Sequence, residues 1–324
     1  MIPTDVLRAA RAGFGLPRGH VRVLSTRFAK TCLAHRTADG GRSQLRLVQA
    51  GADTLPRLHS EMQWLQHLAR THGIAVPAPH SWRDGALVSP LLTDRHGGTW
   101  HAVQCAWVTG RHLDRGFRPA DFARAGALLA RLHRANADAP AGIAAARPTW
   151  WIPRLFELAT SLRHIVLDEM APLPPSVSPA LAQAYRRAHA ALVQAAAALP
   201  RGAHHEGLVH TDAHWQNLRF TRERVGLVDF EDFASGRYML DVACLWGRVQ
   251  ERTGSARMLD AILEGYDRVR PLPPSHHRDL RVMLAFRRFD YAGWVLSWPD
   301  PSQRDWGPAL LAGAPAYIER MLGG

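Results

Sequence analysis

The sequence predicts an α+β protein, with a strand-rich first third followed by a larger, mainly helical remainder. Two observations carry this expectation. Between Val21 and Trp107, short apolar runs alternate with turns rich in Gly and Asp, the pattern of strands joined by tight connections. Beyond Thr109-Gly110-Arg111 the apolar residues recur at three- and four-residue spacing, which gathers them on one face of a helix. The change falls near 105–111, so the chain is divided into residues 1–105 and 106–324.

Residues 4–12 predict a short helix that Thr4 or Asp5 can cap and Gly13 ends. Phe28–Ala34 and Ser43–Val48 read as two strands, with Ala38-Asp39-Gly40-Gly41 as the hairpin turn between them. From Leu58 to Leu68, Met62, Leu65 and Leu68 form a helix face with Glu61 near its start, and Gly73 stops the helix. Val76-Pro77-Ala78-Pro79 is an extended connector. Ala86–Val88 and Thr99–Trp107 read as further strands around a loop at Asp94–Gly98. In the helical part, Pro119 suits a first helical turn, and Phe122, Leu128, Leu129 and Leu132 make an apolar stripe. Ser178-Pro179 opens an Ala-rich helix that ends before Pro200. Asn217–Phe220 and Val225–Phe230 pair as a hairpin, and helical patterns return at about 239–252, 256–269, 277–296 and 308–322.

Composition narrows the class. Hydrophobic residues at 47% and charged residues at 21% are ordinary for a globular chain, and no apolar run approaches the roughly 18–20 residues of a membrane span. Met1-Ile2-Pro3-Thr4-Asp5 lacks the basic and apolar regions of a signal peptide. Cys32, Cys105 and Cys244 lie far apart with no CxxC spacing, so free thiols in a reducing cytoplasm are expected. The net charge of +12 invites a nucleic-acid partner. Against it, Lys30 is the only lysine among 40 basic residues, and the arginines are scattered without forming a block. A generally positive field that attracts nucleotide is the smaller inference.

The densest chemistry lies in His210-Thr211-Asp212-Ala213-His214-Trp215-Gln216-Asn217, followed by Val228-Asp229-Phe230-Glu231. One Asp stands five residues before an Asn, and a second Asp stands twelve beyond it at the end of an apolar run. Phosphoryl transfer to an alcohol needs a carboxylate to orient and deprotonate the hydroxyl, an amide oxygen on Mg2+, and a carboxylate bridging metal and phosphates. Asp212, Asn217 and Asp229 supply one each, in order.

This layout resembles the aminoglycoside phosphotransferase family of small-molecule kinases, nearest its branch of stress-response kinase A, homoserine-kinase-like and choline-kinase-like enzymes. Such families read HxDxxxxN and then an apolar strand ending in Asp. Here the motif is His210-x-Asp212-x4-Asn217, followed by Gly226-Leu227-Val228-Asp229-Phe230, with Leu240-Asp241-Val242-Ala243 opening the next helix. Ser60–Leu65 and Trp107–Arg111 resemble the family's first helix and post-hinge segment, so the likeness spans roughly 20 to 296. It implies a protein-kinase-like bilobal fold with a small N-lobe and a larger helical C-lobe. It also implies ATP and Mg2+ as cofactors and a small-molecule alcohol as partner. By the resemblance Asp212 is the catalytic carboxylate, for which an ordinary pKa near 4 suffices. Asn217 and Asp229 take the metal, while His210 braces the loop and Asp241 accepts backbone hydrogen bonds of that loop or caps its own helix. Gln104, Cys105, Ala106 and Trp107 hold adenine through backbone groups.

Kinases of this fold usually place a strand lysine, held by a helix Glu, on the α/β-phosphates. The matching residues are Arg46 and Glu61, and an arginine fork meets phosphate with a different geometry from a point-charge ammonium. No GxxxxGK[ST] or GxGxxG motif exists, so the phosphate-covering loop is expected near Ser25-Thr26-Arg27. Three rival readings stand beside the small-molecule kinase. A metallohydrolase would use His210, Asp212 and His214 with His204, His205, Asp229 and Asp232. A silent pseudokinase is suggested by Arg46, and a protein Ser/Thr kinase by the stress-response branch. The acceptor pocket would draw on Trp150, Trp151, Phe156 and Leu158, and on Phe289, Tyr291, Trp294 and Trp298. Glu231, Asp232 and Asp290 are candidates for meeting a cationic acceptor.

Overall fold

The computed structural model describes residues 3–17, 21–27, 30–36, 40–113, 116–150, 162, 165–166, 168, 172–253, 255–298 and 304–323. The chain separates into two compact units. One is built from Met1–Phe117, Ala130–Arg147 and Gln216–Phe233, and the other from Arg118–Leu129, Pro148–Trp215 and Ala234–Gly324.

The first unit opens with helix α1 (Thr4–Gly13) and the strands β1 (Arg22–Arg27), β2 (Lys30–Arg36) and β3 (Arg42–Gln49). Helix α2 (Thr54–Arg70) precedes the short strands β4 (Pro79–His80) and β5 (Leu92–Thr93) and the longer β6 (Thr99–Ala106). The sheet runs β1-β2-β3-β6-β4, with β5 also on β6, and all its pairings are antiparallel. Because side chains alternate across a strand, β3 sends Leu45 and Leu47 to one face, where they pack with Leu33, Ala102 and the α1 residues Val6 and Ala10. Gln44 and Arg46 therefore take the opposite face.

Several sequence expectations need correction here. Ala86–Val88 is no strand: the Trp82 N–H donates to Ala86 O and the Gly85 N–H to Trp82 O, closing a tight turn, and β5 takes the pairing with β6 instead. Ser25-Thr26-Arg27, near which the phosphate-covering loop is expected, forms the end of β1, paired with Cys32, Thr31 and Lys30. Ser25 and Thr26 line the cavity described below, while the connection at 28–29 lies outside the described residues. Neither Thr4 nor Asp5 caps α1, whose N-cap is Pro3, and the Asp5 carboxylate accepts from the Arg95 N–H. The tip 38–39 of the predicted β2–β3 turn lies outside the described residues.

Each unit collects three segments of the chain. The reason is local. Strands β9 (Leu218–Phe220) and β10 (Val225–Leu227) form the expected hairpin. It is tied to earlier chain by reciprocal Arg111–Phe220 backbone bonds and by Leu227 N–H to Ala75 O.

The second unit contains the first turns of α3 (Pro119–Arg134), then α4 (Pro179–Ala197), α5 (Tyr238–Thr253), α6 (Ala256–Asp267), α7 (His276–Leu296) and α8 (Gly307–Leu322). Ser178 caps α4 by accepting from the Leu181 N–H, as its Ser-Pro start predicts. Helices α3 and α6 cross at two glycines. A Cβ on Gly126 would meet Ile262 O at 2.0 Å, and one on Gly265 would meet Ala123 O at 1.9 Å, so no larger residue fits either position. A small sheet that the sequence pattern did not reveal joins β7 (Thr149–Trp150), β11 (Ala234–Arg237) and β8 (Glu206–Val209). These strands are too short to show a period. Among the described residues no helix is long and apolar enough to cross a membrane.

Candidate active site

In the first unit a cavity of about 560 Å3 opens beside the free face of the sheet. Arg46 and Glu61 line it as an ion pair, Nη2 to Oε2 at 2.6 Å, so strand and helix meet as expected. Burial alone would lower the Arg46 pKa, but the adjacent Glu61 carboxylate more than offsets it and holds the guanidinium charged. Glu231 approaches Arg46 Nη1 at 3.7 Å and also pairs with Lys30. The only lysine of the chain thus stands at this cavity, a position no motif marked.

Arg147 is the second residue that sequence reasoning missed. Its guanidinium donates to Glu231 O and Arg57 O, each at 2.8 Å, and to Ser60 Oγ at 3.1 Å, while stacking on Phe233. Burial pushes its pKa down to about 10, still charged at neutral pH. It ties α2 to the segment that carries Glu231. Asp232 makes a loose, exposed pair with Arg57 at 3.7 Å and is absent from the cavity lining.

Of the four residues expected to hold adenine, Cys105, Ala106 and Trp107 line this cavity, and Gln104 does not. Gln104 is buried and donates to Ser43 Oγ. The Ala106 and Trp107 N–H groups donate to Ala78 O and Arg42 O. Burial pushes the Cys105 thiol up to about 12, which leaves it an apolar wall group.

Asn217 and Asp229 also line the cavity. The Val228 N–H donates to Asn217 O at 3.0 Å, fixing the end of the motif loop against the strand that precedes Asp229. Asp229 is exposed and has φ of 72°. The only other non-glycine residue with positive φ among those described is Thr211, at 70°. Such backbone costs about 1–3 kcal/mol and persists where surrounding structure imposes it. Both strained residues belong to the motif.

In the second unit the imposing group is Asp241, in the first turn of α5. Its two carboxylate oxygens accept the buried His210 and Thr211 N–H groups at 2.9 and 2.8 Å, the bracing arrangement expected from the sequence. The Cys244 thiol donates to Thr211 O. His210 is fully buried, and its Nδ1 accepts from the Asp212 N–H at 3.3 Å.

Asp212 Oδ1 meets Arg287 Nη2 at 2.7 Å, and Oδ2 meets His214 Nε2 at 3.3 Å. An ordinary carboxylate pKa was expected. Burial raises it, but the His214 hydrogen bond and the Arg287 charge outweigh burial and hold Asp212 well below the carboxylate range. Arg287 also pairs with Asp290 at 3.2 Å, so Asp290 serves an internal cation. Asp212, His214, Cys244, Arg248, Arg287 and Tyr291 line a small pocket of about 40 Å3. Arg248 donates to the Tyr291 hydroxyl at 2.6 Å and stacks on its ring.

Tyr291, Trp294 and Trp298 gather as an aromatic cluster with Trp306, which the sequence reading omitted, while Phe289 is core. Trp151, Phe156 and Leu158 lie outside the described residues. Among those described, His210, Asp212 and His214 do not converge as three metal ligands; His67, His72 and Asp138 do.

The chain is similar to known proteins over most of its length. The model of the phosphotransferase enzyme family matches residues 33–278. Homoserine kinase of Methylobacillus flagellatus is 27% identical over 295 residues, covering 88% of this chain and 82% of that one. Amicoumacin kinase hAmiN, solved in complex with AMP-PNP, Ca2+ and Ami, superposes with a TM-score of 0.78 at 18% identity, covering 99% and 94% of the two chains. A microcompartment-associated aminopropanol kinase gives 0.76 at 20% identity, covering 99% and 98%.

Proposed function

Since the chain belongs to the phosphotransferase enzyme family and transfers phosphate to a hydroxyl group of a small molecule, we propose that it is an ATP- and Mg2+-dependent kinase of a small amino alcohol, with Asp212 as its catalytic carboxylate. The observation that carries this reading is the first unit's cavity, where the Arg46–Glu61 pair, Asn217 and Asp229 share one wall system. Asn217 and Asp229 offer hard oxygen donors of the kind that suit Mg2+. Bound there, Mg2+ would neutralise phosphate charge. Arg46 takes the phosphates, and Cys105, Ala106 and Trp107 wall the adenine.

The chain's own residues then handle the acceptor. Its hydroxyl oxygen forms a bond to the γ-phosphorus as the bond to the ADP oxygen breaks, and the hydroxyl proton passes to Asp212. A strongly acidic Asp212 is adequate because the loose transition state asks mainly for positioning. Arg248 and Arg287 in the Asp212 pocket favour an acceptor that carries a carboxylate, as an amino-acid alcohol does. That feature favours it over a polycationic aminoglycoside, and the Methylobacillus flagellatus relative is a homoserine kinase.

The test is a thermal-shift titration with AMP-PNP, with and without Mg2+, on the native chain and Asp229→Ala. Ligand at 100 times its Kd adds about 2.7 kcal/mol of stability. A Mg2+-dependent rise in Tm that the variant loses is expected, followed by turnover of homoserine above aminopropanol and aminoglycosides. No shift with any nucleotide would overturn the reading, and preference for a polycationic acceptor would overturn the assignment of Arg248 and Arg287.

A further inference from the structure

The mechanism leaves unused a three-residue cluster in the first unit. His67 lies in the last turn of α2, His72 just beyond it, and Asp138 ends the 3-10 turn Ala135–Asp138. His72 Nε2 is 2.9 Å from Asp138 Oδ1 and 3.1 Å from His67 Nε2, and His67 Nε2 is 3.4 Å from the same oxygen. Three atoms therefore converge on one point.

One His72 Nε2–H can serve both the Asp138 carboxylate, which only accepts, and His67 Nε2. That arrangement leaves lone pairs of His67 Nε2 and Asp138 Oδ1 facing each other at 3.4 Å. A cation removes that repulsion, because three lone pairs can point at one positive centre. The spacing fits as well. A tetrahedral ion with bonds of about 2.0–2.1 Å holds its ligand atoms about 3.3 Å apart. An ion at that distance from these three atoms sits roughly 0.9 Å out of their plane, leaving its far side for water or a fourth ligand.

The donors are held in place by their surroundings. The buried Trp64 stacks on the His67 ring with planes 20° apart. Arg131 donates to His72 O and Gly73 O, and Gly73 takes the left-handed φ of 59° that lets the chain turn back toward the cluster. The two imidazole planes meet at 70°, so their nitrogens approach one point from different directions.

We propose that His67, His72 and Asp138 form a binding site for a divalent transition metal of the zinc class. Two imidazoles with one carboxylate select Zn2+, Co2+ or Ni2+ over Mg2+ or Ca2+, which favour all-oxygen sets. The metal staples the C-terminal end of α2, the helix that carries Glu61, to the turn that follows α3.

The probe is Zn2+ itself, titrated calorimetrically into the tag-free full-length chain without nucleotide. Co2+ is titrated in parallel and followed by its visible absorption. One equivalent should bind, with an intense tetrahedral-type Co2+ spectrum. His72→Ala and Asp138→Asn should each weaken binding by about 100-fold, since a direct ligand contributes at least the 10–100-fold carried by outer partners. Asp138 is half exposed at the end of a turn, so its variant keeps a folded chain if the histidine variant does not. Asp229→Ala should bind Zn2+ as the native chain does, separating this site from the nucleotide cavity. Absent binding, or binding that neither His72→Ala nor Asp138→Asn weakens, would overturn the proposal.

Discussion

The cavity of the first unit and the Asp212 pocket of the second handle charge in opposite ways. In the cavity, about 560 Å3 is open and the cations Lys30 and Arg46 stand on adjacent strands, each already matched by a carboxylate. In the pocket, only about 40 Å3 is open, and the key carboxylate is itself closed down by Arg287 and His214. The first arrangement suits a ligand whose charge and shape never vary, such as a triphosphate, because a rigid sheet can present its groups in advance. The second suits discrimination. On the proposed reading, an acceptor offers its own groups in exchange for the Asp212–Arg287 pair, and the wrong charge pattern leaves the pair shut.

The sharpest way to break this contrast is to remove one key residue from each side. Asp212→Ala should lower kcat by about a thousandfold, within the range for loss of a positioned base, while the Kd for AMP-PNP stays within about twofold. Arg46→Met should do the reverse, weakening AMP-PNP by roughly tenfold for one lost charge-assisted contact of about 1.5 kcal/mol. Steady-state kinetics and calorimetry on both variants would decide it. If Asp212→Ala retains turnover, or weakens nucleotide as much as Arg46→Met does, the division of labour is wrong.

How far each side was legible in the sequence follows the same contrast. Arg46 and Glu61, named by the family resemblance, and Asn217 and Asp229, named by motif spacing, line one cavity, and a short motif or a resemblance can name such residues without knowledge of distant chain. Asp241 was legible as a brace because it opens the helix after the motif. Lys30, Arg147 and Arg287 were not. Each acts through a partner far along the chain, 201 residues away for Lys30 and Glu231, 84 for Arg147 and Glu231 O, and 75 for Arg287 and Asp212. No local period or spacing encodes such a meeting. The acidity of Asp212 was missed for the same reason, since Arg287 is one of its main causes. The three-stranded sheet was missed because two to four residues per strand cannot show alternation.

Asp241 sharpens the comparison at intermediate magnitude, because it holds the backbone just before Asp212. Asp241→Ala strips two buried N–H groups of their acceptor, and each unsatisfied group costs about 1–3 kcal/mol. Tm should fall accordingly, and kcat with it, as Thr211 loses what holds it at positive φ. Asp241→Asn keeps one oxygen and should lose roughly half as much stability. Equal losses in the two variants would mean that Asp241 acts through its charge instead of through the two hydrogen bonds.

The smallest effect expected concerns pH and tests why Asp212 is so acidic. Burial pulls its pKa up, whereas the His214 hydrogen bond and Arg287 pull it down more strongly. In the native chain, then, protonation of Asp212 should not limit kcat/KM until the pH is below the ordinary carboxylate value of about 4. Arg287→Met removes one lowering influence and leaves burial in place, so the acid limb of kcat/KM should move upward. The sign for stability is fixed by the same shift. A group whose folded pKa is lowered stabilises the fold above its unfolded pKa and loses that contribution as pH falls through the folded value. The stability difference between native chain and variant should therefore be largest near neutrality and shrink below about pH 4. Asp212 is 36% exposed, so that difference should stay under about 1 kcal/mol. KM for a carboxylate-bearing acceptor should rise in the same variant, while KM for an uncharged amino alcohol should not. An acid limb that stays in place would mean that His214 alone sets the acidity of Asp212, and an unchanged KM would remove Arg287 from acceptor recognition.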